Sequence, residues 1–195
     1  AELYPVGFHG EDGEGFELRR SLETRRGVRL DHFLQTSQRR TFTYCKPLIV
    51  EPGKPPVELN RLDSKNWTLT PEAVQKRIID SFLELAGRVD AVIFLDQVDL
   101  PDTGVVTTEL LQTVGRLAQS RPDLLLLADS RRGLRGYPRV CFKMNHAELS
   151  ALTGMKGDLG LAELKEPDAE LARQQGRRVF VTLAARGILG ASPPA

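Results

Sequence analysis

Residues 90–129 read "DAVIFLDQVDLPDTGVVTTELLQTVGRLAQSRPDLLLLAD", and this stretch decides the fold class. Its first piece, "VDAVIFL" when Val89 is included, is a strand that is apolar along its length. The middle piece spaces Leu110, Leu111, Val114, Leu117 and Ala118 at helical intervals, which predicts one buried helix face. The last piece, "DLLLLAD", is again apolar throughout. Strands without polar alternation are buried on both faces, as in a parallel sheet covered by helices.

The same rhythm extends in both directions. Upstream, Thr70 and Pro71 start a helix whose inner face is Val74, Ile78, Phe82, Leu85 and Ala86, ended by Gly87. Downstream come a strand "RVCFKMN", helices at about 146–152 and 168–175, a strand "RRVFVTLA" and a last short strand "GILGA". At the amino end, "ELYPV" predicts a short strand and "GFHGEDGEG" a Gly-rich turn. "FELRRSLETRRG" then predicts a basic helix carrying Phe16, Leu18 and Leu22. The expected class is α/β, a mainly parallel sheet with helices on both faces, formed by residues 1–195 as a single domain.

One segment breaks the alternation. Residues 38–64 contain Thr41, Phe42, Thr43, Tyr44, Leu48, Ile49 and Val50, then the turn "EPGKPP", then "VELNRL". This predicts an inserted antiparallel hairpin of roughly ten residues per arm, suited to a lid or a dimer edge.

The totals exclude several classes. With 27 basic and 26 acidic residues the net charge is +1, which implies neither nucleic acid nor an anionic membrane as partner. No apolar run approaches the ~20 residues of a membrane span. The opening "AELYPVGFHG" lacks a basic, then apolar, leader pattern, so a cytoplasmic protein is expected. Cys45 and Cys141 stand in strand-like contexts without a Cys/His cluster and are expected to be buried thiols.

Ligands of open parallel sheets bind at the carboxyl ends of the strands. Those ends are Asp96, Asp129, Asn145 and Thr182. In "MNHAELSALTG", Asn145 followed by Glu148 and closed by Gly154 is the pattern of a capped helix. An amide and a carboxylate at the positive end of a helix also suit phosphate and hydrated magnesium. In "VTLAARG", Thr182 ends a strand and Gly187 permits a tight turn. The arginines of "ADSRRG" could grip an oxyanion. Taken singly, a cap, a turn and a charged loop account for each.

The order of the pieces adds information. A "vGxxGxDxxG" turn leads into a helix, a hairpin carries Thr41, Thr43 and Lys46 and ends in Arg61-Leu62-Asp63, strands close on Asp96 and "AD", and "KMNHAELSALTG" precedes "VT…G". In that order the chain resembles the ribokinase-like carbohydrate kinases, and most of all their heptose-7-phosphate kinase branch. The resemblance implies a three-layer α/β/α sandwich with a small β-hairpin lid at 38–64. It implies transfer of the ATP γ-phosphoryl group to a sugar or sugar-phosphate hydroxyl, with Mg2+. Asn145 and Glu148 would organise phosphate and metal, Glu148 through water. Thr182 and Gly187 would line the nucleotide. Thr41, Arg61, Asp63 and Asp96 would face the sugar, and the lid often mediates dimerisation.

The chain also departs from the pattern. The family's Gly-Gly sugar-binding region and its "GAGD" motif, which supplies the anion hole and the catalytic base, are absent, as from a chain truncated at both ends. "DQVDLPDTG" stands where heptose kinases have "DY.KG", and Ala184 stands where many relatives have Gly. The catalytic base is therefore unknown, and the 195-residue polypeptide alone is expected to lack kinase activity. The other reading is an inactive relative acting as a nucleotide-binding or dimeric partner protein.

Overall fold

The computed structural model describes residues 1–154 and 161–194. They form two compact units, Ala1–Ser81 and Phe82–Ala195.

In the first unit, β1 (Gly7–Gly10) pairs in parallel with β2 (Phe33–Thr36), and α1 (Gly13–Glu23) connects them. The strand expected over "ELYPV" begins later, and Leu3 forms only an isolated bridge with Val28. The stretch expected to be a turn is thus a fully buried strand and the start of a helix. Packing density explains why glycine is needed here. A Cβ on Gly10 would lie 2.7 Å from the Arg39 carbonyl, and one on Gly15 would lie 2.7 Å from His9 Nδ1. Helix α1, the expected basic helix, buries Gly15 and leaves Phe16 and Leu18 exposed.

The inserted hairpin is present. β3 (Thr43–Cys45) pairs antiparallel with β6 (Leu62–Ser64), and further out β4 (Leu48–Ile49) pairs with β5 (Val57–Glu58). Its strands are shorter than the ten-residue arms expected, because Pro47, Pro52, Pro55 and Pro56 cannot donate to a ladder. Cys45 lies exposed on β3, a correction to its expected burial; Cys141 is buried.

Helix α2 (Glu72–Ala86) crosses from the first unit into the second. All five residues expected on its inner face are buried. In the second unit, Phe82 meets Phe94 edge-on with ring centroids 5.5 Å apart. The sheet there runs β11-β10-β9-β8-β7. Its strands are β7 (Ala91–Asp96), β8 (Leu125–Ser130), β9 (Cys141–Asn145), β10 (Val179–Thr182) and β11 (Ile188–Ala191), parallel except for β11. Helices flank it: α3 (Thr108–Ser120), α4 (His146–Thr153) and α5 (Leu161–Gln175).

Three details differ from the expectations. β7 is an edge strand whose faces alternate: Phe94 and Asp96 are buried, while Ile93 and Leu95 are 61% and 59% exposed. An apolar run shows that a strand can be covered on both sides, not that it is. Helix α3 buries Thr113 with Leu110, Val114 and Ala118, while Leu111 and Leu117 are only partly covered. Helix α5 starts seven residues before the expected Asp168, and Pro167 lies within it. The core of the unit is the β8–β10 layer, where Ala128, Val179 and Val181 are fully inaccessible.

Candidate phosphate site

The carboxyl ends of β9 and β10 bring three of the expected residues together. Asn145 and Thr182 are register partners on adjacent parallel strands. Parallel strands lie about 4.8 Å apart, which sets the spacing of these two backbones. Asn145 also opens α4. Its side-chain oxygen accepts from the Glu148 N–H at 2.9 Å, and Glu148 Oε2 accepts from the Asn145 N–H at 2.8 Å. Backbone angles of φ −90° and ψ 171° at Asn145, and a left-handed Gly154 at φ 78°, complete a capped helix.

The cap does not use up the pair. Glu148 Oε1 accepts no hydrogen bond among the described residues, and both side chains are only partly buried. A carboxylate with one oxygen fixed and one open, at the positive end of a helix, can hold a metal-bound water. Among the described residues no group of three or more His, Cys, Asp and Glu side chains could hold a metal ion directly. A magnesium ion here would therefore keep most of its waters and be carried with phosphate.

The neighbouring turn is strained. Thr182 donates its hydroxyl to the Met144 carbonyl at 3.3 Å. A 3-10 turn, Ala184–Arg186, follows and is closed by the Leu183 N–H donating to the Gly187 carbonyl at 2.8 Å. Gly187 sits at φ 94° and Ala184 at φ 51°. A left-handed alanine costs about 1–2 kcal/mol, so glycine is the less strained residue at position 184.

Asp96 occupies the end of β7 as the hub of a network. It is 2% exposed, and its Oδ2 accepts from Arg132 at 2.7 Å, Tyr137 at 2.9 Å and Ser130 at 3.0 Å. Burial, reinforced by the Asp96 carboxylate, pushes the Tyr137 hydroxyl well above its ordinary titration range, so it stays a donor. The register partner of Asp96 on β8 is Ser130, which explains the contact between those two. Arg132 and Tyr137 come from the loop after β8, and nothing in the spacing of "DSRRGLRGY" pointed to Asp96. Lys143, also missed, donates to Asp129 across β8 and β9 at 2.8 Å. It lies two residues before Asn145 on the same strand face, a position that strand alternation could have found.

The other three expected residues belong to the first unit. Thr41 is 4% exposed and joins the hairpin root to the β1–α1 turn. Its hydroxyl donates to Asp12 at 2.6 Å and accepts from the Gly10 N–H at 2.8 Å, and its N–H donates to Asp12 at 2.9 Å. Burial raises the Asp12 carboxyl, but these bonds and one from the Gly15 N–H outweigh it and hold the group below its usual range. Arg61 and Asp63 pair with each other at 2.7 Å on the hairpin, and the Arg61 guanidinium lies 4.6 Å from the centre of the Tyr44 ring. The Arg61 contact, despite slight desolvation, keeps Asp63 ionised below its ordinary range.

The parallel sheet with flanking helices gives the chain a ribokinase-like α/β fold, as superposition on solved structures shows. The likeness extends to particular solved structures. Phosphofructokinase-2 from Escherichia coli, in complex with potassium, superposes with a TM-score of 0.69 at 18% identity, over 100% of this chain and 60% of that one. Ribokinase from Giardia lamblia gives 0.66 at 15% identity, over 97% and 56%. Arabidopsis thaliana ribokinase, complexed with ribose and ATP, gives 0.61 at 19% identity, over 98% and 58%. The chain thus spans 56–60% of the length of these neighbours. No family model and no curated protein matches the sequence. No described helix is long and apolar enough to cross a membrane.

Proposed function

We propose that the chain is the core of an ATP-dependent carbohydrate kinase that phosphorylates a hydroxyl of a sugar or sugar phosphate. The observation that carries this reading is the meeting of Asn145, Glu148 and Thr182 at the carboxyl ends of β9 and β10. Phosphoryl transfer depends on positioning and charge neutralisation, which is what a helix N-terminus, an open carboxylate oxygen and a strand-end hydroxyl supply. Sugar kinases among the structural neighbours support it.

In this reading Asn145 and Glu148 hold the phosphates, with Mg2+ bound through water at Glu148 Oε1. Thr182 and the Gly187 turn line the nucleotide. The hairpin within 38–64 serves as lid, presenting Arg61 and Asp63 to the sugar with Thr41 fixing its root, while Asp96 orients Arg132 and Tyr137 at the strand end. The Thr41, Thr43, Lys46 and Arg61-Leu62-Asp63 pattern supports an acceptor of the heptose-7-phosphate type. Exposed Leu48, Ile49, Val57 and Leu62 make the hairpin suited to a homodimer edge.

Calorimetric titration of ATP, with and without magnesium, into the wild type and Glu148→Gln tests the site. Glutamine keeps size and can still accept from the Asn145 N–H, so the helix start survives while the charge is lost. Wild type is expected to bind ATP more tightly with magnesium, and the variant to lose most of that gain. An unchanged magnesium dependence in Glu148→Gln would refute the metal role, and no ATP binding to the wild type would refute the site.

A further inference from the structure

A cavity lies at the opposite end of the sheet, under the amino ends of β8, β9 and β10. Its volume is about 460 Å3, within the ~300–1,000 Å3 of small-molecule sites. The length of β8 separates it from the strand ends carrying Ser130 and Asn145, about 16 Å at ~3.3 Å per residue. Leu124, Leu126, Val140 and Pro193 contribute apolar wall, and Arg139, Arg177 and Arg178 are its cationic lining.

The three arginines differ in their commitments. Arg177 donates to the Ala118 and Pro122 carbonyls at 3.0 and 3.1 Å, so its charge offsets the negative carboxyl end of α3. Arg139 and Arg178 enter β9 and β10, which are neighbouring parallel strands, and their side chains make no hydrogen bond or ion pair among the described residues. The one acidic residue in the lining, Asp123, is held by Arg121 at 2.8 and 3.0 Å. Two uncompensated guanidinium groups at the mouth of a half-apolar cavity are complementary to an oxyanion with an organic body.

We infer that this basal cavity binds a small organic oxyanion, a phosphorylated or polycarboxylate metabolite of sugar-phosphate size, held by Arg139 and Arg178. The site stands independently of the kinase reading, since it shares no residue with the strand ends that carry that reading.

The test uses the whole chain with pyrophosphate, glucose 6-phosphate and citrate as probes, followed by calorimetry and by amide shifts in nuclear magnetic resonance spectra. At least one probe is expected to bind in the cavity and to shift the amides of Leu125, Cys141 and Val179, whatever it does at Glu148. Arg139→Gln/Arg178→Gln should weaken that binding at least tenfold, Arg139→Lys/Arg178→Lys should retain part of it, and Glu148→Gln should leave it unchanged. Because both arginines are exposed, the double variant is expected to keep the wild-type circular dichroism. Phosphates alone binding would assign the ligand to the phosphorylated class, and citrate binding equally well would assign it to oxyanions in general. No shift of these amides at millimolar concentration, wild-type affinity at them in the double glutamine variant, or their loss in Glu148→Gln would overturn the inference. ATP binding at the strand ends, measured in the same double variant, reports separately on the kinase reading.

Discussion

Asp168 offers the sharpest quantitative test of the fold. It is 1% exposed within α5, and neither carboxylate oxygen has a hydrogen-bond partner among the described residues. Burial pushes its carboxyl up to about 6, from an ordinary value of 3.8. The folded chain therefore holds this proton more tightly than the unfolded chain. The stability it contributes is fully present below about pH 4 and is lost as the pH rises through about 6. A shift of about two units corresponds to about 3 kcal/mol lost between those limits. Asp168→Asn has no charge to bury at any pH, but it leaves an amide without partners, at a cost of about 1–3 kcal/mol. The comparison should therefore be made as a slope, not at one pH. Urea unfolding followed by far-ultraviolet circular dichroism between pH 4.5 and 8 measures it. The stability difference, variant minus wild type, should grow by about 2 kcal/mol from pH 4.5 to 7.5 and then level off. A difference that stays constant across this range would refute the buried, unpartnered carboxylate.

Two further substitutions probe the backbone. Ala184→Gly should raise the melting temperature, because the relief of a left-handed alanine, about 1–2 kcal/mol, exceeds the ~0.4–1 kcal/mol of added unfolded-state freedom; a lower melting temperature would contradict the assigned turn. Gly15→Ala should destabilise the first unit by about 1–3 kcal/mol, since its methyl would press on His9 and the Thr41 hydroxyl. Trp67 fluorescence in urea reads that unit, and a midpoint equal to wild type would count against the close packing at the β1–α1 turn.

The order of strands and helices was legible because amphipathic spacing and unbroken apolar runs are local properties. Val74, Ile78, Phe82, Leu85 and Ala86 were all buried as their spacing required. The Asn145–Glu148 cap was equally legible, since both hydrogen bonds close within four residues. Where glycine fell, the local rule misled. "GFHGEDGEG" looks like a turn from composition, yet Gly10 is crowded by the Arg39 carbonyl and Gly15 by the Thr41 hydroxyl, and those two neighbours come from beyond the stretch itself.

By itself, then, the sequence determined the α/β alternation, the inserted hairpin and the capped start of α4, all consequences of periodicity and short-range hydrogen bonding. Only the tertiary structure decided that Asn145 lies beside Thr182, since that depends on the order and register in which β9 and β10 pair. It also decided that Asp96 gathers Ser130, Arg132 and Tyr137, across 34 to 41 residues of chain. Strand order likewise put β7 at the sheet edge and brought Arg139 and Arg178 to one cavity. Such contacts join residues far apart along the chain, and hydrophobic patterning, which reports burial and not partnership, carries no record of them.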